Sequence, residues 1–272
     1  MTAARLDARF AACAAENRAA FVAYVMAGDP DAERSLAVLQ GLPGAGADII
    51  ELGFPFSDPM AEGPPIQRAS LRSLNAGTTL ARVLDTVGRF RAGEADTPLI
   101  LMGYLNPVLS YGYARFAAEA ADAGVDGLLI VDCPPEEADE LADALDAHRL
   151  ALVRLAAPTT DDARLPAVIR RASGFVYYVS VAGVTGVKEA DAAAVAPAVE
   201  RLRAASRLPV AVGFGVKTPE RAAEVARVAD AVVVGSALVE QIEGQGDPVA
   251  AVLARASALA AAVREARRRE TT

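Results

Sequence analysis

Histidine is nearly missing from this 272-residue sequence, where His148 stands alone. A Ser-His-Asp triad, a Cys-His pair and a histidine-ligated metal each need an imidazole at the site. The spacing puts His148 at the end of an amphipathic helix, far from any strand terminus. Whatever chemistry occurs must therefore be run by carboxylates, hydroxyls or backbone dipoles. Cysteine is almost as scarce. Cys13 and Cys133 lie far apart with no C-x-x-C spacing, so neither a disulfide framework nor a zinc site is indicated, and a reducing compartment fits. Long apolar runs are lacking too. No uncharged stretch approaches a membrane span, and Arg5, Asp7, Arg9, Glu16 and Arg18 break up the first twenty residues, leaving no apolar core for an export signal. The expectation is a soluble, cytoplasmic chain. Excess positive charge is also absent. The net charge is -8 with basic residues dispersed among acids, which argues against nucleic acid or an anionic membrane as partner. The basic exception, Arg264 to Glu270, reads as a solvated last helical turn with cations at the negative end of the dipole.

What is present is apolar material, 53% of the chain and enough to fill the core of one large α/β domain. It comes in short runs with helical stretches between them, the pattern of βα units and a parallel sheet. The runs are Phe21 to Ala27, Asp48 to Gly53, Pro98 to Tyr104, Gly127 to Asp132, Ala151 to Ala156, Phe175 to Ser180, Pro209 to Gly213 and Ala231 to Gly235. Helices are expected to start at Asp31, Pro135-Glu-Glu137, Thr160-Asp-Asp162 and Thr218-Pro-Glu220, where an N-cap and early acids suit the dipole. Eight such strands predict a single (β/α)8 TIM barrel with an extra N-terminal helix in residues 3–17 and extra helices after strands 2 and 8. An open doubly wound sheet is the alternative. It is disfavoured because the first turn reads Ala27-Gly28-Asp29-Pro30 and not G-x-G-x-x-G. No linker or compositional break divides residues 1–272, which are read as one domain.

In a barrel the functional face is the C-terminal end of the strands. Glu51 falls near the end of the second apolar run, where a buried carboxylate costs several kcal/mol unless paired, about 2 to 7 even for a neutral polar group. It is either a structural Glu satisfied by a cation or backbone amides, or a catalytic acid or base with a raised pKa. Glu62 lies in the following loop, Tyr104 and Asn106 follow strand three, Asp132 closes strand four, and Tyr177 lies within strand six. Any of these is also readable as a satisfied polar residue of the barrel rim. Glycine-containing turns follow the last three strands, at Gly183 to Gly186, Gly213-Phe-Gly215 and Gly235-Ser236. Their arrangement suits a phosphate, because glycine lets backbone amides approach an anion and a helix starting at Ser236 would aim its positive end there. The residues thus predict a small phosphorylated substrate and general acid/base chemistry, C–C cleavage or isomerisation, with one carboxylate tuned toward neutrality.

Glu51-Leu-Gly-Phe-Pro-Phe-Ser-Asp-Pro59 with Gly63-Pro64, the Gly183-Val-Thr-Gly186 turn, Gly213-Phe-Gly215 and Gly235-Ser236 together resemble the tryptophan synthase alpha subunit family, in its order and spacing and over nearly the whole chain. The resemblance implies reversible cleavage of indole-3-glycerol phosphate to indole and glyceraldehyde 3-phosphate. It also implies an α2β2 complex in which a beta subunit carrying PLP receives the indole, with no metal and no cofactor in this chain. It makes Glu51 the proton shuttle, Glu62 the carboxylate that stabilises charge on the indole nitrogen, and Tyr177 a tyrosine beside the reacting glycerol. Tyr24, Met102, Leu129 and Leu155 take positions lining the indole pocket. Gly186, Gly215, Gly235 and Ser236 take the phosphate-binding positions, and Thr185 that of a threonine in the closing loop. Asp58, Pro59 and Pro134 take positions facing the beta subunit. One departure matters: Glu62 stands where the family carries Asp. The extra methylene displaces a carboxylate by roughly 1.5 Å on a fixed backbone, and misplacement on that scale costs about 100-fold in rate. This departure leaves room for a weakened homologue serving mainly to activate the beta subunit; a stand-alone lyase, with the same site and no need of a partner, is a further alternative. Cys133 reads as a small buried filler.

Overall fold

The computed structural model describes residues 4–179, 192–213 and 215–267. Eight strands, β1 Ala20–Met26, β2 Ile49–Gly53, β3 Leu99–Gly103, β4 Gly127–Ile130, β5 Ala151–Ala156, β6 Val176–Val179, β7 Val210–Gly213 and β8 Ala231–Val234, close into a parallel barrel in sequence order. Closure is made by β8 lying on β1, with Ala20 opposite Ala231 and Val22 opposite Val233. Every expected strand forms, with ends shifted by at most two residues. Two shifts touch candidate residues. Glu51, expected near the end of its strand, is the middle residue of β2. Asp132 lies beyond β4, and its Oδ1 accepts from the amide of Leu105 at 2.7 Å, so it starts a helix after the neighbouring strand.

These segments read as unbroken apolar runs because both of their faces are covered. Alternate residues point out to a shell of helices, where Phe21, Leu52, Leu101, Leu128, Leu152 and Val212 pack, and in to a barrel core of Val22, Ile49, Ile100, Leu129, Val153, Phe175 and Val233. The expected extra N-terminal helix, Ala4–Ala15, closes the bottom of that inner core. It buries Leu6, Phe10 and Cys13 there, and the Phe10 ring sits 5.7 Å from that of Phe175.

The bottom rim is also held by a repeated polar device. Asp48, Asp126 and Asp230 each immediately precede an even-numbered strand. Each accepts from the backbone amide of the preceding odd strand, Phe21, Leu99 and Val210 respectively, at 2.8 to 2.9 Å. Each also binds a guanidinium, from Arg18, Arg91 and Arg203. Ser173, before β6, does the same for the amide of Leu152 with its hydroxyl. The device ties adjacent strands in register at the end where no chemistry is expected.

Asp31 and Thr218 cap the helices Ala32–Gly41 and Pro219–Val228 as expected, accepting from the amides of Arg34 and Arg221. Two starts differ. Pro135–Glu137 forms a short 3-10 turn, and the helix proper is Asp139–Ala147 with His148 at its C-cap. After β5 the helix is Leu165–Ile169. Thr160 does not cap it, but turns back to accept from the amide of Ala157. The extra helices are Pro64–Asn75 after β2 and the short Ser236–Val239 after β8, before the final Pro248–Glu265. A further one was not expected: Leu105–Tyr111 follows β3, separated by Gly112 at φ +91° from the helix Tyr113–Ala123. No helix among the described residues is long and apolar enough to cross a membrane.

Candidate active site at the C-terminal end of the barrel

Glu51 points into the barrel from β2, opposite Tyr24 on β1 and Ile100 on β3. It is 1% exposed, and its Oε1 finds no hydrogen-bond partner among the described residues. Burial, then the charge of Glu62, pushes its carboxyl from 4.5 up to about 8. The structural reading of Glu51 as a paired core carboxylate therefore fails. Glu62 is 5% exposed, and burial raises it to about 7.

Glu62 is positioned by a well-tied loop. Its amide donates to Pro59 O at 3.0 Å, and Gln67 Nε2 donates to its carbonyl at 2.8 Å. The adjacent Ala61 amide donates to the Tyr104 hydroxyl at 2.9 Å, and the Tyr104 ring lies 5.3 Å from that of Phe56. Phe56 is bound through both its amide and its carbonyl by Ser70 Oγ, from the helix Pro64–Asn75. That helix is anchored by Arg72, which grips buried Asp29 after β1 with two bonds and also binds Glu243. Tyr104 thus serves as a brace for the Glu62 loop.

Both carboxylates open onto one cavity of about 540 Å³, its mouth included, shared with Tyr24, Met102, Tyr177, Gly215, Gly235 and Ser236. The lining combines apolar and aromatic groups with the glycine turns, Tyr24 and Ile66 lying against Gly235, which suits a flat apolar group joined to an anion. A smaller hollow of about 240 Å³, lined by Phe54, Pro59 and Tyr104, adjoins it across Glu62, Tyr24 and Met102. Burial and the facing carboxylates hold the hydroxyls of Tyr24 and Tyr177 in their neutral form. Both rings need a glycine on the next strand: a Cβ at Gly53 or Gly213 would overlap the hydroxyl of Tyr24 or Tyr177. Gly215 sits at φ +78°.

Of the other sequence-predicted residues, Leu129 is fully buried in the inner core and Leu155 packs against it from its edge; neither reaches this cavity wall. Asn106 is exposed on the helix Leu105–Tyr111, outside the cavity. Thr185 and Gly186 lie outside the described residues. Asp58 and Pro134 are exposed and Pro59 half-exposed around the same rim, next to Met60, 71% exposed. Cys133 is buried, as a filler would be. Ile66, Val216, Lys217 and Val233 also line the cavity. Sequence reasoning passed over them, although Val216 and Lys217 directly follow a glycine already singled out. No group of three or more His, Cys, Asp or Glu among the described residues is arranged to hold a metal ion.

Comparison with known proteins gives one answer. The family model described as "Tryptophan synthase alpha chain" matches residues 10–268. The tryptophan synthase alpha chain of Phenylobacterium zucineum is 71% identical over 272 residues, covering 98% of each chain. That of Caulobacter vibrioides is 70% identical over 271 residues, again covering 98% of each. Among solved structures, the tryptophan synthase alpha subunit of Legionella pneumophila superposes with a TM-score of 0.88 at 42% identity, covering 95% of this chain and 98% of that one. A chain of Mycobacterium tuberculosis tryptophan synthase does so with a TM-score of 0.88 at 40% identity, covering 96% and 99%.

Proposed function

We propose, from the premise that this chain belongs to the tryptophan synthase alpha chain family and is a lyase cleaving indole-3-glycerol phosphate to indole and glyceraldehyde 3-phosphate, that Glu51 and Glu62 divide the proton work of that reaction. The observation that carries this is the unpartnered, raised carboxyl of Glu51 sharing a cavity with the second raised carboxyl of Glu62.

At neutral pH Glu51 holds its proton, because burial disfavours its charge. It delivers that proton to C3 of the indole ring, which places positive charge on the ring nitrogen. Glu62, the first of the pair to ionise, stabilises that charge. The glycerol hydroxyl then loses its proton to the Glu51 carboxylate, its C–O bond becomes the aldehyde carbonyl, and the C–C electrons return to the ring. One proton enters and one leaves, so Glu51 ends as it began. Tyr177 lies beside the glycerol and Tyr24 and Met102 flank the ring. Gly215, Gly235 and Ser236 hold the phosphate through amides and a hydroxyl. All of this is the work of one barrel domain over residues 1–272, in a cytoplasmic enzyme with no cofactor of its own.

A rim of Asp58, Pro59, Pro134 and Met60 receives a PLP-dependent beta subunit in an α2β2 assembly that consumes the indole. The exposure of Met60 beside a braced catalytic loop supports this. The test is indole release from indole-3-glycerol phosphate by the purified chain, with and without PLP-loaded beta subunit. Strong stimulation by beta is expected. Absence of indole in both conditions would overturn the roles assigned to Glu51 and Glu62.

A further inference from the structure

Of 27 basic residues in this sequence 25 are arginine; the two lysines are Lys188 and Lys217, in the segments after β6 and β7. Lys188 lies outside the described residues. Lys217 is the one cation among the described residues that line the cavity of Glu51 and Glu62. A lysine is a compact point charge on a flexible stem, whereas arginine is a rigid fork suited to fixed pairs. The fixed pairs at the barrel bottom are made by arginine.

The backbone around Lys217 is pinned and its ammonium is not. Its carbonyl accepts from Arg255 Nη2 of the last helix, and the next residue, Thr218, caps a helix. By contrast, among the described residues Nζ meets only Glu240 Oε1, at 3.4 Å and with both side chains substantially exposed, a contact at the outer limit of a hydrogen bond and weak by the standard of surface pairs. Glu240 begins the turn that follows Ser236–Val239, so the pair spans from the Gly215 side of the cavity to the Ser236 side. The turns at Gly215, Gly235 and Ser236 offer partial charges from amides. A phosphate monoester brings about two full negative charges into a cavity that already holds two carboxyls.

We propose that Lys217 is the phosphate counterion of this site, parked on Glu240 when the site is free and moving to the phosphate when substrate enters. This rests on the phosphate position assigned above. Lys217 then sets the preference for a phosphorylated over a neutral glycerol side chain, while the amides set orientation.

The probe is glycerol 3-phosphate, titrated calorimetrically into the full chain at two salt concentrations, alongside KM for indole-3-glycerol phosphate in the presence of beta subunit. Lys217→Ala should weaken glycerol 3-phosphate binding about tenfold, equivalent to about 1.4 kcal/mol, and flatten its salt dependence. KM should rise more than kcat falls, and Lys217→Arg should recover most of the loss. Glu240→Gln, which removes the competitor, should tighten binding about two- to threefold. Wild-type affinity and salt dependence in Lys217→Ala would overturn the proposal, as would equal losses in Lys217→Ala and Lys217→Arg, which would mark a structural role. Failure of the wild-type chain to cleave substrate would sink the catalytic assignment, whereas normal cleavage with an indifferent Lys217→Ala would sink this inference alone.

Discussion

Glu51→Gln should make the protein more stable and leave it inactive, and the gain should grow with pH. The folded-state carboxyl is raised from 4.5 to about 8, so the folded chain holds this proton more tightly than the unfolded one. Its contribution is neutral to stability below about pH 4.5 and becomes a penalty as pH rises, because unfolding then allows an ionisation that the folded state resists. By linkage that penalty is about 1 kcal/mol at pH 5, about 3 at pH 7 and close to 5 at pH 8.5, where it levels off above the folded pKa. Glutamine has nearly the same shape and never ionises, so it removes the penalty. Urea unfolding of both proteins at the three pH values gives the difference directly, from midpoints compared at equal m-value. Growth of about 3 to 4 kcal/mol between pH 5 and 8.5 is expected. A difference that stays flat with pH would refute the claim that Glu51 is buried without a partner.

Three further outcomes follow from the same geometry. The pH profile of kcat/KM should be bell-shaped, with limbs near 7 and 8 belonging to the coupled pair, since the proposed division of proton work needs Glu62 ionised and Glu51 protonated; Glu62→Gln should abolish the acidic limb in its residual turnover. Asp48→Ala leaves the buried Arg18 guanidinium with the half-exposed Glu16 as its remaining counterion and strands the Phe21 amide, and should cost about 3 kcal/mol in chemical denaturation with KM little changed. Gly213→Ala drives a methyl group into the Tyr177 hydroxyl and should lower kcat/KM at least tenfold while the far-ultraviolet circular dichroism stays that of the wild type.

The barrel was legible because every strand is covered on both faces, so burial writes itself into the sequence as apolar runs. The helix Leu105–Tyr111 was not, since Asn106-Pro107 and Gly112 read as loop; yet proline is tolerated in a first turn, and Asp132, 27 residues away, supplies the start. Glu51 was conspicuous because a charge in an apolar run has few innocent explanations. Glu62 and Tyr104 were visible as residue types, but their relation was not. The brace from the Tyr104 hydroxyl to the Ala61 amide spans 43 residues and exists only once β2 and β3 are neighbours. The bottom-rim pairs escaped for the same reason: Asp48, Asp126 and Asp230 look like ordinary turn formers until a distant guanidinium and an amide of the preceding strand meet them.

The two ends of the barrel treat carboxylates in opposite ways, and the contrast explains how the molecule tolerates its site. At the bottom each strand-start aspartate has a guanidinium and a backbone amide, and for the buried Asp48 and Asp126 losing the guanidinium pairing would leave a buried charge. At the top Glu51 and Glu62 line a cavity in which Lys217 is the one cation among the described residues, itself paired to Glu240, so burial acts on both carboxyls unopposed. A guanidinium beside Glu51 would remove several kcal/mol of penalty and, by the same amount, lower its pKa until it could no longer carry a proton at neutral pH. Stability at the bottom rim offsets a deliberate deficit at the top. Glu62, which the sequence resemblance sets where the family would carry Asp, bears on the same balance: its side chain reaches from a loop held at Pro59, Tyr104 and Ser70, so the acid's position is set by the loop's bracing as well as by its own length. If that is so, Glu62→Asp alone should lower kcat, not restore it, because the loop is built for the longer residue. A faster Glu62→Asp enzyme in the indole-release assay would show instead that the loop holds a misplaced carboxylate.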